Sequence, residues 1–142
     1  MNELLTDLKA MSVLLVDDEA SIRISMELML RGKTRLVRTA ADGETALEIL
    51  RNDRWDIIIC DYMLPGMNGF DFFKQVDEAY PGTIKILITG FIDPATREKA
   101  KRARIHEFME KPLTTEAIFE TLERALLRHK NHDLKGLGKP SA

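Results

Sequence analysis

Four sets of side chains in this sequence suit a single reaction. Three consecutive acids, Asp17, Asp18 and Glu19, follow one short apolar run; Asp61 closes a second; Thr89 closes a third; Lys111 ends a more polar stretch. Clustered carboxylates repel one another and are costly unless a cation or a proton intervenes. Magnesium or manganese suits them, because a hard divalent cation takes oxygen ligands and keeps part of its shell for water and a phosphate. Beside such an ion, Asp61 is the expected nucleophile, accepting a phosphoryl group as an aspartyl phosphate. Lys111 would supply a second positive contact, and the Thr89 hydroxyl would donate to a phosphoryl oxygen. Each residue alone has a plainer explanation. Acids cap helix N-termini, an aspartate ends many strands in a turn, and a lysine before proline is often a surface residue. Only their joint placement points to chemistry.

That placement depends on the elements. Short apolar runs alternate with segments of helical period, the signature of a parallel α/β fold. Val13-Leu14-Leu15-Val16, Ile57-Ile58-Ile59-Cys60 and the stretch from Ile84 to Ile88, broken only by Lys85, are near-continuous, as a sheet covered on both faces requires. The stretches from Thr34 to Thr39 and from His106 to Glu110 interleave polar and apolar residues, as edge strands do. Apolar stripes mark the helices: Ile22, Met26, Met29 and Leu30, stopped by Gly32; Ala46, Leu47, Ile49 and Leu50 behind an Asp42 N-cap; Phe72, Phe73 and Val76 before Pro81-Gly82. Asp93-Pro94 reads as a cap and first turn, and a last helix from Thr114 or Thr115 carries Ile118, Leu122 and Leu126. The expected fold is a doubly wound three-layer α/β/α domain with five helices and a five-stranded parallel sheet in the order 2-1-3-4-5. In such sheets ligands bind beyond the carboxyl ends of the strands, where the acids, threonine and lysine fall.

The 142 residues suit one domain, 44% hydrophobic and 31% charged. Residues 12–130 form the expected domain, 1–11 an N-terminal extension, and 131–142, rich in Lys, Gly and Pro, a flexible tail or linker. A net charge of -2 gives no general attraction to nucleic acid or to an anionic membrane. No signal peptide or membrane-spanning run is evident, so the default setting is cytoplasmic. The single cysteine, Cys60, excludes an intramolecular disulfide and reads as core.

The segments Leu14-Leu15-Val16-Asp17-Asp18-Glu19, Ile59-Cys60-Asp61-Tyr62-Met63-Leu64-Pro65-Gly66-Met67-Asn68-Gly69, Ile88-Thr89-Gly90 and Met109-Glu110-Lys111-Pro112 resemble the hallmark segments of two-component response-regulator receiver domains. The likeness runs from about residue 12 to 128, with all four segments in order. It implies that Asp18 and Asp61 bind the metal directly, with the Met63 backbone carbonyl as a further ligand and Asp17 acting mainly through metal-bound water. It also implies a cis peptide before Pro112, and a switch in which the Thr89 hydroxyl moves toward the phosphoryl group and the ring at Phe108 follows it. Many relatives carry tyrosine at that position. The face that changes would be the fourth helix, fifth strand and fifth helix of the five expected, controlling an output domain or partner or forming a homodimer. The phosphoryl donor would be a sensor histidine kinase or a histidine phosphotransfer protein. Such a domain assists its own phosphorylation and is a switch, not a turnover enzyme. Met63 and Phe91 match positions that flank the path of hydrolytic water; both are bulky and apolar here, which predicts slow dephosphorylation.

Other residues invite plainer readings. His106, His129 and His132 lack metal-ligand spacing and read as surface or edge residues. Arg97, Lys101 and Arg104, with Lys99 and Arg102 nearby, fit a solvated helix face; an acidic partner or a dimer contact is the sharper alternative. A haloacid-dehalogenase-like phosphatase needs a second aspartate two residues after its nucleophile, and Met63 stands there. A flavodoxin-like cofactor module needs a hydroxyl- or glycine-rich first loop, which Asp17-Asp18-Glu19 is not. A degenerate receiver that only binds protein would be expected to have lost some of these positions; all are intact.

Overall fold

The computed structural model describes residues 3–137, with side chains described for residues 6–129. Six helices and five strands alternate: α1 (Glu3–Lys9), β1 (Ser12–Val16), α2 (Ala20–Leu30), β2 (Leu36–Ala40), α3 (Gly43–Asn52), β3 (Ile57–Asp61), α4 (Gly69–Ala79), β4 (Ile84–Thr89), α5 (Pro94–Arg102), β5 (Glu107–Glu110) and α6 (Thr115–Leu137). The sheet is wholly parallel in the order β2-β1-β3-β4-β5. Every residue of β1, β3 and β4 is buried, whereas β2 and β5 alternate, as their mixed sequences require of edge strands.

The pleat sends successive strand residues to opposite layers. Leu14, Val16, Ile58, Cys60 and Leu87 pack with α3, α4 and α5, where Phe72, Phe73 and Val76 are fully buried. Val13, Leu15, Ile57, Ile59, Ile86 and Ile88 pack with α2 and α6 through Met26, Leu30, Ile118 and Leu122. Each such aliphatic side chain contributes about 1.5–3 kcal/mol on burial. Capping follows the sequence. Asp42 and Asp93 accept from the backbone N–H of Thr45 and Thr96, each at 2.7 Å, and Pro94 opens α5. Gly32 takes φ +80° just beyond α2.

The structure adds detail at three places. A sixth helix, α1, forms within the residues read as an extension, because Leu8 is buried with Met26, Leu30 and Leu126. The last helix continues to Leu137, through the residues read as a linker; no proline interrupts it and Gly136 is its first glycine. Residues 138–142 lie outside the described residues. Finally, Lys85, which only interrupts an apolar run in sequence, has a side chain wholly removed from solvent. Its ammonium lies 3.2 Å from Asp77 Oδ1 on α4 and donates to the Thr83 carbonyl at 3.3 Å. Burial lowers the Lys85 pKa, and Asp77 counters it. His106 is half-buried immediately before the edge strand β5, in keeping with the edge reading: its Nδ1 accepts the Lys85 backbone N–H at 2.9 Å, and burial, then the Lys85 charge, lowers its pKa to about 4.

Candidate functional site

The carboxyl ends of β1, β3, β4 and β5 bring the sequence-predicted groups to one rim. Oxygens of Asp17, Asp18 and Asp61 lie within 4.8 Å of one another. Asp17 and Asp61 are buried, and Asp18 is exposed. Asp17 Oδ1 accepts the Glu19 backbone N–H at 2.9 Å, but its Oδ2 is buried without a hydrogen-bond partner. Burial, with the Asp61 charge adding to it, raises the Asp17 pKa from 3.8 to about 6 against the Glu19 hydrogen bond. An orphaned buried oxygen beside two further carboxylates fits a hard divalent cation, which would supply the missing partner.

Lys111 reaches into this cluster from the end of β5. Its Nζ donates to Asp61 Oδ2 at 2.9 Å and lies 3.7 Å from Glu19 Oε1. Burial alone would lower its pKa, but the hydrogen bond and charge of Asp61 outweigh it and hold the ammonium above its ordinary value. The peptide between Lys111 and Pro112 is cis. Asp61 Oδ1 accepts the Met63 backbone N–H at 3.3 Å, which closes the turn after β3.

The other expected residues stand further from the reacting atoms. Thr89 is buried, but its hydroxyl donates to the Phe91 carbonyl at 3.1 Å and makes no hydrogen bond to Asp61 or Lys111. Phe108 is half-buried against the α4–α5 layer, with the Arg97 guanidinium 5.8 Å from its ring centre. Met63 and Phe91 are mostly exposed, at 70% and 68%.

Two residues gain roles that their types alone did not announce. Glu19 is the second acid on Lys111; its only signal was adjacency to the aspartates. Gly69 opens α4 so close to β3 that a Cβ would meet the Asp61 carbonyl oxygen at 2.7 Å and Tyr62 Cα at 2.9 Å. Its N–H donates to the Tyr62 carbonyl at 2.8 Å. A glycine in a loop signals a turn in sequence; here it permits a close backbone approach beneath Asp61.

A parallel doubly wound sheet carrying paired acids, a strand-end aspartate and a lysine on that aspartate defines a phosphoacceptor switch domain. The model of the response regulator receiver domain matches residues 13–123, and the chain belongs to that family. The transcriptional regulatory protein AfsQ1 of Streptomyces coelicolor is 33% identical over 117 residues, 82% of this chain and 51% of that protein. ZraR of Salmonella typhimurium, also a transcriptional regulatory protein by name, is 31% identical over 114 residues, 80% of this chain and 26% of that protein. The chain thus spans about half or less of these curated relatives. Among solved structures, chemotaxis protein CheY4 of Vibrio cholerae superposes with a TM-score of 0.78 at 34% identity, covering 82% of this chain and 98% of that one. The chain is a receiver domain of two-component signalling, with a phosphoacceptor role.

Proposed function

We propose that Asp61 is the phosphoacceptor, with a phosphohistidine as donor. A carboxylate oxygen of Asp61 attacks phosphorus, the P–N bond breaks, and the departing imidazole takes up a proton. The observation that carries this reading is the Lys111 ammonium 2.9 Å from Asp61 Oδ2 beside the unpartnered Asp17 Oδ2. Asp17, Asp18 and Asp61, with the Met63 carbonyl that the family likeness implies, would hold magnesium or manganese. Such an ion supplies positive charge to the transferring phosphoryl oxygens. Lys111 would exchange its contact with the Asp61 carboxylate for one with the phosphoryl group. The Thr89 hydroxyl would leave the Phe91 carbonyl and donate to a phosphoryl oxygen. Phe108, on the neighbouring strand β5, would follow inward, and the face formed by α5, β5 and α6 would shift population between two states.

The domain thus acts as a switch that assists its own phosphorylation rather than as a turnover enzyme. Its donor would be a sensor histidine kinase or a histidine phosphotransfer protein in the cytoplasm. Since the curated relatives are named as transcriptional regulators, an output domain, a partner or a homodimer would read the α5-β5-α6 face; direct nucleic-acid binding is not expected of the receiver itself. No described helix is long and apolar enough to cross a membrane.

The test is intact-mass measurement after incubation with a small acyl phosphate and magnesium. The wild-type chain should gain one phosphoryl group, and Asp61→Asn should gain none. Labelling that survives Asp61→Asn, or a wild-type chain that never gains mass, would overturn the assignment.

A further inference from the structure

Outside the acid pocket, positive charge gathers on α5. In a chain of net charge -2, this nine-residue helix carries Arg97, Lys99, Lys101 and Arg102 against one acid, Glu98. Ala100 and Ala103 are buried against the core. At about 100° per residue, Lys99 and Arg102 therefore fall on one flank of the exposed face, and Arg97 and Lys101 on the other. The Arg97 flank lies over Phe108 and belongs to the face already discussed. The other flank looks toward α4, where the exposed Lys74 meets it across a cleft of about 230 Å³. Tyr62 and Phe70 line the cleft with their rings edge-on, 5.0 Å between centres. Asp71 is its one acid. Lys74, Lys99 and Arg102 form no salt bridge with any described residue.

We propose that this α4–α5 cleft is a docking site for an acidic protein segment, which seats one apolar side chain on Tyr62 and Phe70 while its carboxylates pair with Lys74, Lys99 and Arg102. At about 230 Å³ the cleft falls below the range of about 300–1,000 Å³ for pockets that hold drug-sized ligands, a size that suits a single anchoring side chain. The aromatic lining calls for an apolar anchor, and three cations outside any salt bridge among the described residues, of which Lys99 has only the longer-range field of Asp93, call for carboxylates around it. Nucleic acid fits poorly, because the chain's net charge supplies no broad positive field.

The cleft also touches the phosphoacceptor loop. Tyr62 follows Asp61 directly, and Gly69 at the head of α4 leaves no room for a Cβ against the Asp61 backbone. This adjacency would couple occupation of the cleft to the state of Asp61, each then altering the other's equilibrium equally. The coupling rests on the phosphoacceptor reading; the docking does not.

A random-peptide display selection on the 142-residue chain tests the proposal. Winners should carry Asp or Glu flanking a single Leu, Met, Phe or Trp. Their affinity should fall at least about tenfold on K74E/K99E/R102E and by less than about threefold on R97E/K101E. A measurement that needs no variant accompanies it: the selected peptide added to the ¹⁵N-labelled wild-type chain should shift the amides of Tyr62, Lys74, Lys99 and Arg102. The triple variant should still accept phosphate from an acyl phosphate, so docking and phosphorylation fail separately. Winners without acidic bias, shifts confined to another face, or equal competition by a short DNA duplex or an anionic phosphatidylserine vesicle would overturn it.

Discussion

Replacing Asp17 by Asn should stabilise the metal-free protein, although it removes a charged residue from the functional pocket. The Asp17 pKa is raised from 3.8 to about 6, chiefly by burial and then by the Asp61 charge. The folded state therefore holds a proton that the unfolded state releases. Stability from this group is fully present below about pH 3.8 and is lost as pH rises through about 6. At about 1.4 kcal/mol for each pH unit, the full effect at pH 7 is at most about 3 kcal/mol. Solvent entering the open mouth of the pocket reduces it to about 1–2 kcal/mol. Asparagine keeps an oxygen to accept the Glu19 N–H, so little is lost in exchange. Urea unfolding in EDTA, followed by fluorescence of the buried Trp55, should show a midpoint about 0.5–1 M higher for Asp17→Asn at pH 7, given a slope of about 1–3 kcal/mol per molar. The gap should close toward pH 4. His106 changes the opposite way: its lowered pKa removes stability as pH falls from 6.5 toward about 4. That contribution is common to both proteins and cancels in their difference. Magnesium should reverse the ranking, because only the wild type gains fully from binding; saturation a hundredfold above the dissociation constant adds about 2.7 kcal/mol. An Asp17→Asn midpoint at or below wild type in EDTA at pH 7 would refute the reasoning.

Three further outcomes are expected. Lys85→Met should change stability by less than about 1 kcal/mol, whereas Asp77→Ala should cost about 2–4 kcal/mol by leaving a buried ammonium without its carboxylate; equal losses in urea unfolding would contradict this. Gly69→Ala should cost about 1–3 kcal/mol through overpacking against the Asp61 backbone and slow phosphorylation by an acyl phosphate, so an unchanged labelling rate would show that the loop yields freely. Joint replacement Met63→Asn and Phe91→Glu should accelerate loss of the phosphoryl group several-fold or more by admitting and orienting water; an unchanged decay of the labelled mass would refute the shielding role.

Much of this protein is legible in its one-dimensional text. The continuous runs at Val13, Ile57 and Ile84 announce buried parallel strands, and the mixed runs that follow Thr34 and His106 announce edges. Strand order then follows from chirality, and order sends Asp17, Asp61, Thr89 and Lys111 to one rim. That inference needs only the period of the elements and the direction of the strands, which are local properties. The tertiary structure decided what depends on distance and desolvation. It left Asp17 Oδ2 without a partner, brought Glu19 to Lys111, turned the Thr89 hydroxyl to Phe91 and pressed Gly69 beneath Asp61. It also placed Lys85 in the dark on Asp77, and opened between α4 and α5 a cleft whose cations lie in separate helices. No period or spacing encodes these, because each is set by the packing of segments far apart in the chain.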